Sequence, residues 1–279
     1  MLKLYSLFEA TEHRQGEPDP DSPVLVFLHG LLGQHQDWAE VRSRLTDFPR
    51  LSLDLPGHGQ SRGNGCVDMD DCCEQIVFAI KAALQKEGMS QAHPLILTGY
   101  SLGGRIAMYG CVKGRWSSLN LKGLIIEGGH FGLGDEAARQ QRWQHDMQWA
   151  ARFRDEPVEQ VLDDWYQQPV FSTLNDAQRQ QLISQRRDNL GTRIAEMMLA
   201  TSLARQPDLL AELYKQPLPV RYICGEEDQK FRQLAGNSRL SVYAIKQAGH
   251  NVHKEKSGAF THALRECICS FTRPEKQNQ

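Results

Sequence analysis

Nowhere in this chain is there an apolar run approaching the roughly 18 residues that a membrane-spanning helix needs. The first residues, MLKLYSLFEATEHRQGE, break into charge before an apolar core of signal-peptide length can form. An excess of one charge is lacking too. Thirty-two Lys and Arg stand against 34 Asp and Glu, a net charge of −2 that offers no basic face to nucleic acid or to an anionic membrane. Internal repeats and long low-complexity stretches are absent. Paired cysteine spacing is absent as well. The seven cysteines, at 66, 72, 73, 111, 224, 267 and 269, are odd in number and scattered, and Cys66, Cys72 and Cys73 lack the spacing of a zinc site. These absences point to a cytoplasmic protein with reduced thiols and no bound metal, and give no sign of nucleic acid or a membrane as its partner. A monomer is the expected state.

What is present is an alternation. The runs VLVFLHG (24–30), RLSLDLPG (50–57), LILTGYS (95–101), LKGLIIEGG (121–129), PVRYICGEED (219–228) and SVYAIKQAGH (241–250) read as strands, each ending in a loop. Several are apolar without alternation, as strands buried on both faces are. Helical patterns fall at 70–87, 102–114, 229–236 and 256–270. Strand–helix alternation of this kind predicts an α/β fold with a mostly parallel sheet and helices on both faces. The stretch 131–215 breaks the rhythm: nearly strand-free and rich in Arg, Gln and Trp, it reads as a helical cap over a core formed by 1–130 and 216–279. The final RPEKQNQ is expected to fray.

GYSLGG (99–104) follows an apolar strand and opens a helix, the setting of a nucleophile elbow. A strand that reverses into a helix within a few residues leaves Ser101 on a tight turn. Gly99, Gly103 and Gly104 remove side chains that would collide there. A serine needs a base, and the base an orienting acid, in the chain order Ser, Asp or Glu, His. Asp228 and His250 each end a strand after Ser101. Glu226, Glu227 and Glu127 compete for the acid, and His253 for the base. The loop HGLLG (29–33) suggests an oxyanion hole built from the backbone amides of Leu31 and Leu102, with His29 bracing the loop. DLPGHGQS (54–61) does not complete a dinucleotide fingerprint, because Arg62 fills the last glycine position.

Arg105 lies four residues after Ser101, on the same helical face and tilted back toward it. Two uses are open for it: an ion pair with a nearby carboxylate, or a fork for a carboxylate of the substrate. The cap supplies further arginines, Arg139, Arg142, Arg152, Arg154, Arg179, Arg186, Arg187 and Arg193, and two inward-facing members would suit a polyanion. Trp165 and Tyr166 offer apolar walls with polar tips.

The segments VFLHGLLGQHQDW, LDLPGHGQS, GYSLGGRIAM, IIEGGHFGL, DWYQQPVFSTLN, YICGEEDQKF and AGHNVHKE, spread over nearly the whole chain, resemble the 2-succinyl-6-hydroxy-2,4-cyclohexadiene-1-carboxylate synthases of menaquinone biosynthesis. GYSLGGR, EGGH and DWYQQPVF carry most of that likeness; the other blocks are generic to α/β-hydrolases. The resemblance implies an α/β-hydrolase fold and a carbon–oxygen lyase. Such an enzyme eliminates pyruvate from 5-enolpyruvoyl-6-hydroxy-2-succinyl-cyclohex-3-ene-1-carboxylate, a tricarboxylate. It places the triad on Ser101, Asp228 and His250, with the serine acting as a base. It places anion-binding arginines on Arg105, Arg142 and Arg186, and further pocket residues on Tyr100, Trp165 and Tyr166. No metal, nucleotide or flavin is implied. Two rival classes share these features: a serine esterase, thioesterase or carbon–carbon hydrolase acting on an anion, and a non-enzymatic receptor, which has no need of a complete triad.

Overall fold

The computed structural model describes residues 3–12 and 22–272, so the 273–279 tail lies outside the described residues. Among the described residues seven strands form one sheet: β1 (Ser6–Glu9), β2 (Val24–Leu28), β3 (Arg50–Leu53), β4 (Leu95–Tyr100), β5 (Leu121–Glu127), β6 (Val220–Gly225) and β7 (Ser241–Ile245), in the order β1-β3-β2-β4-β5-β6-β7. All neighbours are parallel except β1, which pairs antiparallel with β3. The six expected strands are therefore present, and β1 is an addition. At four half-buried residues, SLFE is too short to register as a pattern in sequence. This is the α/β-hydrolase arrangement expected from the sequence.

Every residue of β2, β3 and β4 is buried. Helices α1 (Ala39–Ser43), α2 (Met69–Lys86) and α3 (Leu102–Val112) cover the first half of the sheet. In α2 the side chain of Asp68 caps the first turn by accepting from the Asp71 amide at 2.8 Å, and Met69, Cys72, Cys73, Ile76 and Ile80 turn one apolar stripe inward. Between β5 and β6 the chain runs through α4 (Glu136–Asp155), α5 (Val158–Trp165), α6 (Asp176–Arg186), α7 (Gly191–Ala200) and the short α8 (Leu210–Leu213). This helical insertion has its own apolar cluster, including Phe153, Val161, Leu162, Ile183, Ile194 and Met198. Leu32, from the loop after β2, is buried in the same cluster. After β6 come α9 (Gln229–Gly236), α10 (Val252–Glu255) and α11 (Ser257–Thr272). Among the described residues no helix is long and apolar enough to cross a membrane.

Because β2 through β7 are parallel, the loops that follow them open on one edge of the sheet, where ligands of such folds bind. That edge is assembled at very close range. A methyl group on Gly103 would lie 2.4 Å from the Leu28 carbonyl oxygen and 2.7 Å from that of His29. A methyl on Gly99 would lie 2.4 Å from the Gly103 backbone. Helix propensity favours alanine over glycine by about 1 kcal/mol, but overlap with rigid backbone opposes it by more. Gly103→Ala should therefore destabilise the protein by about 2 kcal/mol or more in urea unfolding. A stability equal to or above that of the parent would contradict this packing account.

Candidate active site

Ser101 sits between β4 and α3 with φ 48° and ψ −106°, a left-handed backbone that few non-glycine residues adopt. Its amide donates to the Glu127 carbonyl at 2.7 Å, tying the turn to the end of β5. The serine stands at the N-terminus of α3, where free N–H groups and the helix dipole favour negative charge. Its side chain faces a cavity of about 1250 Å³, lined also by Leu31, Tyr100, Leu102, Arg105, Arg142, Trp165, Asp228 and His250. Nine of the eleven residues singled out in the sequence thus share one cavity wall.

His250 and Asp228 are joined. His250 Nδ1 donates to Asp228 Oδ2 at 2.7 Å, and both residues are buried. The second carboxylate oxygen of Asp228 accepts from the Phe231 amide at 3.3 Å, so Asp228 caps α9 as well as orienting the ring. With Nδ1 engaged as a donor, Nε2 of His250 is the free base. Phe231 and Tyr100 flank the imidazole at 4.6 and 5.2 Å between ring centres. The rival residues are accounted for. Glu127 binds His253 instead, accepting from Nδ1 at 2.8 Å and from the His253 amide at 3.0 Å. Trp38 stacks on His253 at 4.3 Å. Among the described residues neither Glu226 nor Glu227 hydrogen-bonds to the His250 ring, although Glu227 lines the same cavity.

Two neutral histidines shape the loop after β2. His29 Nε2 accepts from the Leu55 amide and His58 Nε2 from the Leu32 amide, each at 2.9 Å. Their Nδ1 atoms donate to the carbonyls of Gly30 and Pro56. Burial lowers the pKa of both rings, and His58, further opposed by His29, is held down to about 3. Leu32 takes φ 68° in this loop, and its carbonyl accepts from Asn189 of the insertion at 3.0 Å.

The arginines divide. Arg105 is buried, with Nε donating to Gln206 Oε1 at 2.8 Å and Nη2 to the Thr201 carbonyl. Among the described residues it has no carboxylate partner, so the ion pair left open by the sequence is not what holds it. Burial and the nearby charge of Arg142 lower its pKa against a smaller upward pull from Asp146, and the guanidinium remains charged at neutral pH. Arg142 lines the cavity and pairs with Asp146 at 2.8 Å; Asp146 also accepts from Ser202 at 2.7 Å. Arg186 and Tyr166, expected to face a ligand, lie outside the cavity wall. Asp37 claims the Arg186 guanidinium at 3.1 Å while also binding Lys254 at 2.7 Å. Tyr166 is buried against Phe171, with Arg186 6.0 Å from its ring centre. The remaining cap arginines mostly find partners on the surface, such as Glu156 and Asp164 for Arg152.

Sequence reasoning missed several lining residues, among them His130, Gln168, Thr173 and Lys230. EGGH and EEDQKF were visible as motifs, but only the three-dimensional turn after β5 shows that His130 faces the same space as Ser101.

Residues 25–263 match the alpha/beta hydrolase family. A Yersinia pseudotuberculosis serotype O:3 (strain YPIII) protein named 2-succinyl-6-hydroxy-2,4-cyclohexadiene-1-carboxylate synthase is 48% identical over 250 residues, covering 87% of this chain and 89% of that protein. Among solved structures, MenH from S. aureus superposes with a TM-score of 0.83 at 25% identity, covering 96% of this chain and 99% of that one. A thermophilic esterase from Thermogutta terrifontis shares the fold with a TM-score of 0.71 at 21% identity, covering 97% and 94%.

Asp228→Asn and His250→Ala should each lower kcat by about 10³–10⁴-fold, while Glu127→Gln keeps the larger share of activity. Steady-state kinetics decide between them, and a reversed ranking would move the acid to Glu127. A second expectation concerns pH. His58 titrates near 6.5 when unfolded and near 3 when folded, so between those values the unfolded chain binds more protons. The stability gained from a neutral His58 is complete above 6.5 and is lost as pH falls toward 3, at up to about 1.4 kcal/mol per pH unit. His58→Gln should flatten the dependence of unfolding free energy on pH between about 6.5 and 4.5 by one proton's worth. Equal slopes in parent and variant would refute this assignment.

Proposed function

The chain belongs to the alpha/beta hydrolase family and, within it, to the 2-succinyl-6-hydroxy-2,4-cyclohexadiene-1-carboxylate synthases, and on that premise we propose how its residues perform the reaction. It is an enzyme of menaquinone biosynthesis that eliminates pyruvate from 5-enolpyruvoyl-6-hydroxy-2-succinyl-cyclohex-3-ene-1-carboxylate. The observation that carries the residue assignment is Arg105, a buried cation one helical turn from Ser101 that forms no ion pair among the described residues; the nearby Asp146 is taken up by Arg142 and Ser202. A buried charge without a counter-charge is costly. A carboxylate of the ligand supplies the missing partner.

In this reading Ser101 removes the ring proton adjacent to the succinyl ketone. His250 Nε2 takes the hydroxyl proton, and Asp228 holds the imidazole in the required tautomer and offsets its charge. Electron density moves onto the ketone oxygen, where the amides of Leu31 and Leu102 stabilise the enolate; each such donor is typically worth about 3–4 kcal/mol. The enolate collapses, the ring double bonds shift, and the carbon–oxygen bond to the enolpyruvoyl group breaks with its electron pair going to the leaving oxygen. The proton held on His250 neutralises the departing enolate, which tautomerises to pyruvate and leaves the triad as it began. No water is added. Arg105 and Arg142 hold carboxylates, while Tyr100 and Trp165 wall the ring. Arg186 acts from behind the wall by fixing Asp37 and the loop before it. The helices of 131–215 form the cap that encloses the substrate.

A serine acting only as a base never carries substrate atoms, whereas a hydrolase serine becomes acylated. Rapid-quench mass spectrometry during turnover should show protein of unaltered mass, with pyruvate forming without a burst. Removing the ring hydrogen should show a primary isotope effect. A covalent adduct on Ser101 that forms and decays at the turnover rate would overturn the base role in favour of hydrolase-like chemistry. Arg105→Lys keeps the charge but loses the planar fork. It should cost about 1–3 kcal/mol in kcat/KM with the fold intact by circular dichroism. An unchanged kcat/KM would remove Arg105 from carboxylate binding.

A further inference from the structure

The EGGH segment holds a histidine with no place in the reaction just described. His130 follows β5 by way of Gly128, whose φ of 57° turns the chain, and Gly129, whose carbonyl accepts from the buried Tyr222 hydroxyl at 2.8 Å. The backbone under His130 is fixed again by Gln206. This buried amide donates from Nε2 to the His130 carbonyl at 2.9 Å while its Oε1 receives Arg105 Nε at 2.8 Å. One side chain therefore sets both Arg105 and His130. The His130 ring lines the cavity and packs edge-on to Phe231 at 6.3 Å, itself in contact with His250. The Gly132 amide donates to His130 Nδ1 at 3.1 Å. Nδ1 is therefore an acceptor, and in the neutral ring the proton sits on Nε2. No described residue takes that N–H.

From this geometry we infer that His130 is a substrate-binding residue, a neutral imidazole locked as the Nε2–H tautomer that donates a hydrogen bond to a carboxylate of the substrate. This rests on the reaction proposed above, since that substrate supplies carboxylates beyond those held by Arg105 and Arg142. The electrostatics agree. Burial, together with Lys230, Arg105 and Arg142 around the ring, holds its pKa down to about 4 against a smaller upward pull from Asp208. The same three cations draw the anion to it. A histidine serving as a fourth cation would repel its neighbours when the site is empty; a neutral one donates without that cost. The Gly132 amide also fixes the ring's direction, so the donor is aimed before the ligand arrives, which lowers the ordering cost of binding.

The test has two arms. In the first, pyruvate release from the enolpyruvoyl substrate is measured for the parent, His130→Ala and His130→Gln. Loss of a hydrogen bond to a carboxylate should raise KM about tenfold in His130→Ala, with a smaller change in kcat. His130→Gln, which keeps an N–H donor, should recover part of the loss. Unchanged KM in both variants, with the parent active, overturns the role of His130 and leaves the proposed reaction standing. Absence of pyruvate from the parent overturns the reaction instead. The second arm needs no turnover. Nitrogen-15 chemical shifts of the full-length protein should report the Nε2–H tautomer, with no titration of His130 between about pH 5.5 and 8. Adding tricarballylate, a plain tricarboxylate, should shift the His130 Nε2–H resonance. A ring that titrates near the ordinary histidine value, or a resonance indifferent to the tricarboxylate, overturns the inference even where the enzyme is active.

Discussion

Between Gly103 and the carbonyls of Leu28 and His29 there is no room for a methyl group, and the site is built on that closeness. It lets the N-terminus of α3 dock against the end of β2, bringing the amide after Ser101 beside the loop that carries Leu31. The same docking forces Ser101 into its left-handed turn. The strain is held by buried hydrogen bonds on either side: Ser101 to the Glu127 carbonyl, and Leu32 to His58. Had the helix stood off by even 1 Å, Ser101 would relax and the two amides would diverge.

Charge is the second organising force. The cavity carries Arg105, Arg142 and Lys230, and its wall offers Asp146 to Arg142 and Asp228 to His250. With Glu227 the wall carries three carboxylates to three cations, but among the described residues neither Arg105 nor Lys230 is in an ion pair, so the imbalance is one of pairing. A protein keeps such an imbalance in a partly dry cleft where a ligand supplies the remaining negative charge. Behind the wall the opposite economy holds: Asp37 is shared by Arg186 and Lys254, and these pull its carboxyl well below the ordinary carboxylate range despite its burial.

Much of the core was legible in the sequence because its signals are local. VLVFL, LILTGY and LKGLIIE are apolar runs cut off by loop residues, and the 229–236 helix begins and ends where expected. GYSLGG told of a turn because steric exclusion acts within six residues. Asp228 and His250 could be ordered along the chain, but their pairing over Glu127 and His253 depends on which strand ends face each other. The arginines were legible only as a population. Whether a cap arginine turns toward a cavity, as Arg142 does, or toward a buried aspartate, as Arg186 does, depends on Asp37 more than a hundred residues away. Gln206 gave no signal at all, since an isolated glutamine in a loop has no periodicity and no motif.

Leu32 belongs by sequence to the loop after β2, yet its side chain is buried in the apolar cluster of the helical insertion, and its carbonyl is held by Asn189. The unit that would be inherited or exchanged is therefore not contiguous in the chain. A transplant of the 131–215 helices onto a related core would arrive with a hole where Leu32 belongs, and would meet a loop shaped for different neighbours. Recombination between homologues should succeed when residues 29–33 travel with the helices and fail when the crossover separates them. Lineages that diversify substrates by remodelling these helices are thereby pressed to change the loop in step. Specificity and oxyanion geometry then evolve as one character.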